Sequence, residues 1–227
     1  MDPGGFDAGS YRSAAQTDST VQLTPMQKKL AKLEQTLPAA LRRQVVAAAL
    51  AVVVIVASAV GFGGAKLKAK YNTARSWYSQ GLSADGGYTL SDLLATRENT
   101  AANVLTTASA TLADSAEYAA AKSALDKFAL VRAAQGASGG DLHAMYEADT
   151  ALGLAIDQLY AKLQEQAADP MKMGAVQGQY GQFNSAATII GNLSYNKAVT
   201  EYEDATGGFP ASLFKAVFGI GEVEVFA

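Results

Sequence analysis

Residues 44–65 read QVVAAALAVVVIVASAVGFGGA, with Arg42 and Arg43 before them and Lys66, Lys68 and Lys70 after them. The run has no ionisable side chain and no Pro. A bilayer hydrocarbon core is roughly 30 Å thick, and a helix crossing it needs about 20 apolar residues. A continuous helix also satisfies its own backbone polar groups, which lipid cannot do. A soluble core helix passes the same length test, but such helices usually carry a polar stripe, and this run has none. The reading is therefore a membrane span over residues 41–65.

On its N-terminal side, residues 1–40 form a leader. Met1–Thr24 is rich in Gly, Asp, Ser, Thr and Gln and too poor in large apolar residues to offset the entropy of ordering, so it is expected to be disordered. Pro25–Leu37 places Met26, Leu30, Leu33 and Leu37 at helical spacing, with Lys28, Lys29 and Lys32 elsewhere on the turn. That pattern fits a short amphipathic helix on the membrane surface or a solvated one beside it. A secretory signal would meet its apolar stretch sooner, so the span reads as an uncleaved anchor. Lys and Arg near the span number five on the leader side (Lys28, Lys29, Lys32, Arg42, Arg43) and four beyond it (Lys66, Lys68, Lys70, Arg75). This small excess tilts the orientation towards leader inside and body outside. Ala57, Gly61 and Ala65 fall four apart, a spacing that lets two spans approach closely and opens the option of a homo-oligomer.

Beyond the span, the pattern is helical throughout. Nothing interrupts the first helix before Gly81, and residues 81–89 (GLSADGGYT) read as a loop. Residues 90–134 lack Gly and Pro; Leu94, Ala101, Leu105, Ala108 and Leu112 form one stripe, continued by Tyr118, Ala121, Leu125 and Phe128. This is one long helix, or two with a bend near Asp114. Asp141 is a candidate N-cap. After it, Leu142, Met145, Leu152, Ile156, Leu159 and Leu163 repeat with the three-four alternation of a coiled-coil seam, in which Asp149 occupies a seam position. Such an Asp is either a specificity device or ligand contact or, more commonly, a partly solvated bundle residue. Asp169 caps a last helix that starts at Pro170, where a missing N–H costs nothing. Its inner face is Val176, Tyr180, Phe183, Ala187 and Ile190, and it is expected to run to about Thr206, ahead of Gly207 and Gly208. The fold class is thus all-α: an N-terminal transmembrane helix followed by an antiparallel up-and-down four-helix bundle over residues 66–208. Residues 209–227 form an apolar tail, expected beside the bilayer or under the base of the bundle.

Composition narrows the chemistry. The net charge of −3 offers no large basic field for nucleic acid. The absence of Cys removes disulfides, thiolate metal sites and thiol catalysis. His143 is the sole His, with Glu147 one turn on, which falls far short of the paired Glu-x-x-His motifs of di-iron bundles. No nucleophile elbow is present. Gly219-Ile-Gly221 follows no strand, and Asn192-Leu-Ser194 lies inside a predicted helix, so neither is read as a site. No cofactor, metal or catalytic residue is assigned, and the chain is read as a non-enzymatic protein.

The C-terminal stretch carries a pattern: Tyr195-Asn196, then Tyr202, Phe209-Pro210, an apolar run ending in Phe218-Gly219, and a terminal Val-Phe-Ala. This resembles the C-terminal signature of the LemA family; Tyr71-Asn72 followed by Trp77 is similar to that family's post-membrane segment. The resemblance covers residues 44–227 and is strongest at the end. It implies a bacterial cell-membrane protein with one N-terminal span and a four-helix bundle. Two departures stand out. The family's basic cluster between the first two helices is replaced by Ser-Ala-Asp-Gly-Gly, and Ser185, Ala187 and Asn192 stand where the family places charges. The two Tyr-Asn pairs are expected at similar heights on adjacent helices, forming a polar-aromatic layer with a structural role. The functional expectation is a scaffold or adaptor for other membrane proteins, with the bilayer as its first partner. The alternatives are a ligand-sensing bundle built around Trp77, Tyr146 and Asp149, and a membrane-remodelling or oligomer-forming element.

Overall fold

The computed structural model describes Pro25, residues 44–166 and residues 170–227. Every regular element among them is helical. The expected leader helix, the segment expected to be disordered before it and the expected Asp169 cap lie outside the described residues, save for Pro25, which is helical and exposed. By its contacts the chain divides into residues 1–58 and residues 59–227.

Helix α1, Gln44–Gln80, contains the uncharged run. It is long and apolar enough to cross a membrane. In its first part the large side chains are bare: Val53 is 62 % and Ile55 66 % exposed. The core helix of a soluble protein usually covers such side chains. The helix ends where expected, at Gly81, whose φ of +70° suits only a residue without a side chain. A Cβ there would also lie 2.6 Å from the Tyr88 carbonyl oxygen.

The second unit carries the packed body. Helix α2 (Leu90–Leu112) starts at Thr89, whose hydroxyl accepts the Asp92 N–H at 3.0 Å. Helix α3 (Ala116–Gln135) starts at Ser115, which accepts the Tyr118 N–H. The break at Ala113–Ser115 settles the choice between one helix and two in favour of two. Helix α4 is Leu142–Gln166, capped by Asp141 through the Ala144 N–H at 2.8 Å. Helix α5 is Pro170–Asn192 and α6 is Tyr195–Gly207. The single last helix expected from the sequence is thus interrupted at Leu193–Ser194. Asp85, in the loop after α1, accepts the Ser194 N–H at 2.9 Å and holds the interruption open. Helix α7, Ala211–Phe218, ends at Gly219 in the left-handed conformation, with Ile220 N–H returning to the Lys215 carbonyl.

The core joins α1 to α6. Ala74 and Tyr78 of α1 meet Leu94, Val104 and Leu105 of α2, Phe128 of α3, Met145, Leu152 and Ile156 of α4, Phe183 of α5 and Val199 of α6. All six apolar seam positions of α4 are buried, as their spacing requires. Helix α2 packs on α5, α3 and α4, and α3 packs on α4.

Asp149 is not partly solvated. It is 9 % exposed and meets Arg97 of α2, itself 3 % exposed. Arg97 Nε donates to Asp149 Oδ1 at 2.5 Å, one terminal nitrogen to the Asp149 carbonyl and the other to the Phe183 carbonyl at 3.1 Å. The guanidinium also lies 3.9 Å from the centre of the Phe183 ring. One cation therefore ties α2, α4 and α5 together. Gly153, a turn after Asp149, leaves room for it; a Cβ there would sit 3.3 Å from the guanidinium.

Burial raises the Asp149 carboxyl above its ordinary value of 3.8, and this outweighs the lowering by the Arg97 charge and hydrogen bond. The unfolded carboxyl therefore ionises first. The contribution of Asp149 to stability is complete below pH 3.8 and is lost as pH rises through the folded value. Denaturation of the full chain in detergent at several pH values checks this against Asp149→Asn, which does not titrate: the wild-type stability should fall relative to the variant across that window. At neutral pH, Asp149→Ala strands a buried guanidinium and should cost about 3–5 kcal/mol, whereas Arg97→Met with Asp149→Leu should cost far less.

Candidate functional site

Two of the motif residues, Tyr195 and Asn196, meet the last eight residues of the chain, which follow α7 without regular secondary structure. Asn196, in the first turn of α6, uses both ends of its amide on one residue: its Oδ1 accepts the Phe226 N–H at 2.7 Å, and its Nδ2 donates to the Phe226 carbonyl at 2.8 Å. Tyr195 beside it is buried and donates its hydroxyl to the Glu224 carbonyl. Burial, then the neighbouring Tyr78 and Glu224, push that phenol well above its ordinary range, so it stays a donor. The Glu224 carboxylate accepts the Leu142 N–H at 2.8 Å, placing a negative charge at the start of α4. Glu203 of α6 takes the Val223 N–H on one oxygen and the Lys215 ammonium on the other. Ile220, Val223 and Phe226 are each buried, and Phe226 meets the Tyr146 ring edge-on at 5.4 Å. The apolar tail is therefore a clasp: its last residues enter the same core as the helices.

The other motif residues divide. Trp77 is half-buried and packs edge-on against Tyr202 at 6.5 Å. Tyr71 is half-buried, under the Arg75 guanidinium and beside Gly221, while Asn72 is exposed. The expected layer of two Tyr-Asn pairs does not form: Asn196 is engaged by Phe226, and Asn72 points away from the core. Phe209 is 87 % exposed, and Pro210, which follows it, is exposed too. Phe218 is half-exposed, with its ring edge against Gly64. The sensing trio does not assemble either. Trp77 faces Tyr202, Tyr146 faces Phe226, and Asp149 is consumed by Arg97.

A groove of about 600 Å³ lies between α1 and α6, with Trp77, Tyr202 and Ala205 as walls and Lys66, Lys70 and Glu201 as polar groups. A smaller hollow of about 230 Å³ shares Lys66, Lys70, Ala205 and Thr206 with it and reaches Phe214. The walls are mainly apolar, which suits an apolar group with a polar end better than bond-making chemistry. His143 lies on the far side of the clasp, exposed, with Nδ1 2.7 Å from the Ala227 carbonyl and Nε2 3.6 Å from Glu147. Among the described residues no three His, Asp or Glu side chains are gathered for a metal ion.

Comparison with protein-family models, with curated proteins and with solved structures gives no match.

The clasp predicts two different losses. Phe226→Ala empties a buried aromatic site and should cost about 3–5 kcal/mol. Asn196→Ala leaves a backbone N–H and C=O without partners and should cost about 1–3 kcal/mol for each that stays buried. Chemical denaturation measures both. Carboxypeptidase digestion of folded Asn196→Ala should trim residues 223–227 faster than in the wild-type chain.

Proposed function

We propose that this chain is a membrane-anchored, non-enzymatic helical-bundle protein of the LemA kind, whose body serves as a scaffold or adaptor for other membrane proteins. One observation carries the reading: a single helix is bare and uncharged at Val52–Val56, then contributes Ala74 and Tyr78 to the core of the body.

The finer architecture we assign is an antiparallel up-and-down bundle. Its support is the pairing order across α2 and α5: Arg97 bonds to Phe183, and Asn103, farther along α2, bonds to Gln179, farther back on α5. We place the anchor in a bacterial cell membrane as one span with the body outside, on the excess of basic residues on the leader side. The small-residue face Ala57, Gly61 and Ala65 is exposed and suits a second copy of the span. Of the motif residues that prompted the family reading, Tyr195 and Asn196 bond to the clasp, which supports a structural role for that pair. The groove beside α1 favours a second reading, a module that senses an amphiphilic ligand.

Full-length protein should remain with the membrane pellet after a carbonate wash. Crosslinking in native membranes followed by purification should recover a defined membrane-protein partner; background alone would overturn the adaptor role. Ligand-dependent thermal stabilisation, lost in Trp77→Ala, would instead favour the sensor.

A further inference from the structure

Helix α7 has three faces with three different fates. Phe214 and Phe218, one turn apart, rest on α1 where it has no side chains: an ideal Cβ would fall 2.7 Å from the Phe214 ring at Gly63 and 1.9 Å from the Phe218 ring at Gly64. Lys215 turns to the Glu203 carboxylate and over the Tyr202 ring at 5.5 Å. The remaining face, Leu213 and Val217, is 51 % and 62 % exposed, and Phe209 just ahead of the helix is 87 % exposed. Four large apolar side chains, counting Phe62 at 81 %, are bare at this end of the body. Water is a costly solvent for such a cluster.

The height of the seat says what covers it. Gly63 and Gly64 are the last turn of the uncharged run, and Lys66, Lys68 and Lys70 follow at once. If α1 spans the bilayer, as the proposed function holds, the two glycines lie at the boundary between acyl chains and headgroups, with the lysines among anionic phosphates. A helix docked there, with an apolar outer face and its ammonium turned inward to a carboxylate, has the arrangement of an interfacial helix. We propose that Phe209 and α7 form a second membrane contact, lying in the headgroup–acyl boundary of the leaflet from which α1 emerges. The body is then held at two points, which fixes its rotation about α1 and its height over the lipid.

The absence of Cys makes the test direct, since one introduced Cys is one label. Full-length chain carrying Leu213→Cys or Val217→Cys is spin-labelled and reconstituted in phosphatidylcholine–phosphatidylglycerol vesicles, with Val53→Cys and Leu130→Cys as references for the span and for an exposed apolar residue of α3. Oxygen collides more often with labels in lipid, a nickel chelate with labels in water. The oxygen-to-nickel collision ratio at 213 and 217 should approach that at 53 and exceed that at 130 several-fold. Ratios at 213 and 217 equal to that at 130, with 53 in lipid, overturn the second contact and leave the anchor standing. A ratio at 53 equal to that at 130 overturns the anchor and this inference with it.

Discussion

The arrangement of the body depends on one buried cation. Arg97 has its charge met by Asp149, two of its N–H groups met by carbonyls on α4 and α5, and its flat face met by Phe183. A buried ion pair contributes little net stability, because desolvation consumes most of its Coulomb gain. Its effect is on choice. Sliding α2 by a turn against α4 would leave a guanidinium and a carboxylate apart in an apolar interior, each without a partner. An alternation of Leu, Ala and Val alone tolerates such slips, since one apolar contact is much like another. The pair excludes them, and Asn103 with Gln179 repeats the constraint at a more exposed level.

The clasp acts on the other end of the same body. The last residues of the chain are stitched to α4 by Glu224, to α6 by Asn196 and Glu203, and to the core by Val223 and Phe226. Most of these bonds use one side chain to satisfy backbone groups of a segment that has no helix or sheet to join, which is what a buried segment of that kind requires. The stitching also explains the interruption at Leu193–Ser194. It starts α6 afresh, so that Tyr195 and Asn196 stand in its first turn and face the incoming chain.

Periodicity with Gly and cap signals is enough to read the apolar stripes of α2 and α4, the C-terminal end of α1, the start of α2 and the end of α3, because a helix puts every third or fourth residue on one side and caps act locally. In the sequence the boundary between α2 and α3 stays open between one helix and two. Long-range pairings left weaker traces. Asp149 was visible as a polar residue in a seam, but its partner lies 52 residues earlier. The signal was there: Leu90, Leu94, Arg97 and Ala101 share a stripe, and an Arg in an apolar stripe needs a buried acid. The break before α6 was also signed, by Gly191, Asn192 and Ser194 within four residues, but the apolar inner face running up to Ile190 masked it. Asn196 shows the limit. Its partner is the backbone of Phe226, and backbone atoms carry no sequence.

On the proposed reading, helix α1 serves two environments with one set of backbone bonds. Over residues 44–65 its composition is uniform all round, which fits a medium that is the same on every side; from Lys66 onward it is two-sided, with Leu67, Ala74 and Tyr78 buried and Lys68, Asn72 and Thr73 exposed. The change falls at Gly63 and Gly64, where the helix surface is thinnest and the Phe214 and Phe218 rings fill the gap. On the proposed reading, that seat lets the body begin where the lipid ends: bulky side chains at 63 and 64 would hold α7 away from α1, and Lys215 would lose its reach to Glu203. On that reading the close approach of α7 to α1 comes where the surroundings of α1 change, and it is made by an element that carries both apolar side chains and Lys215.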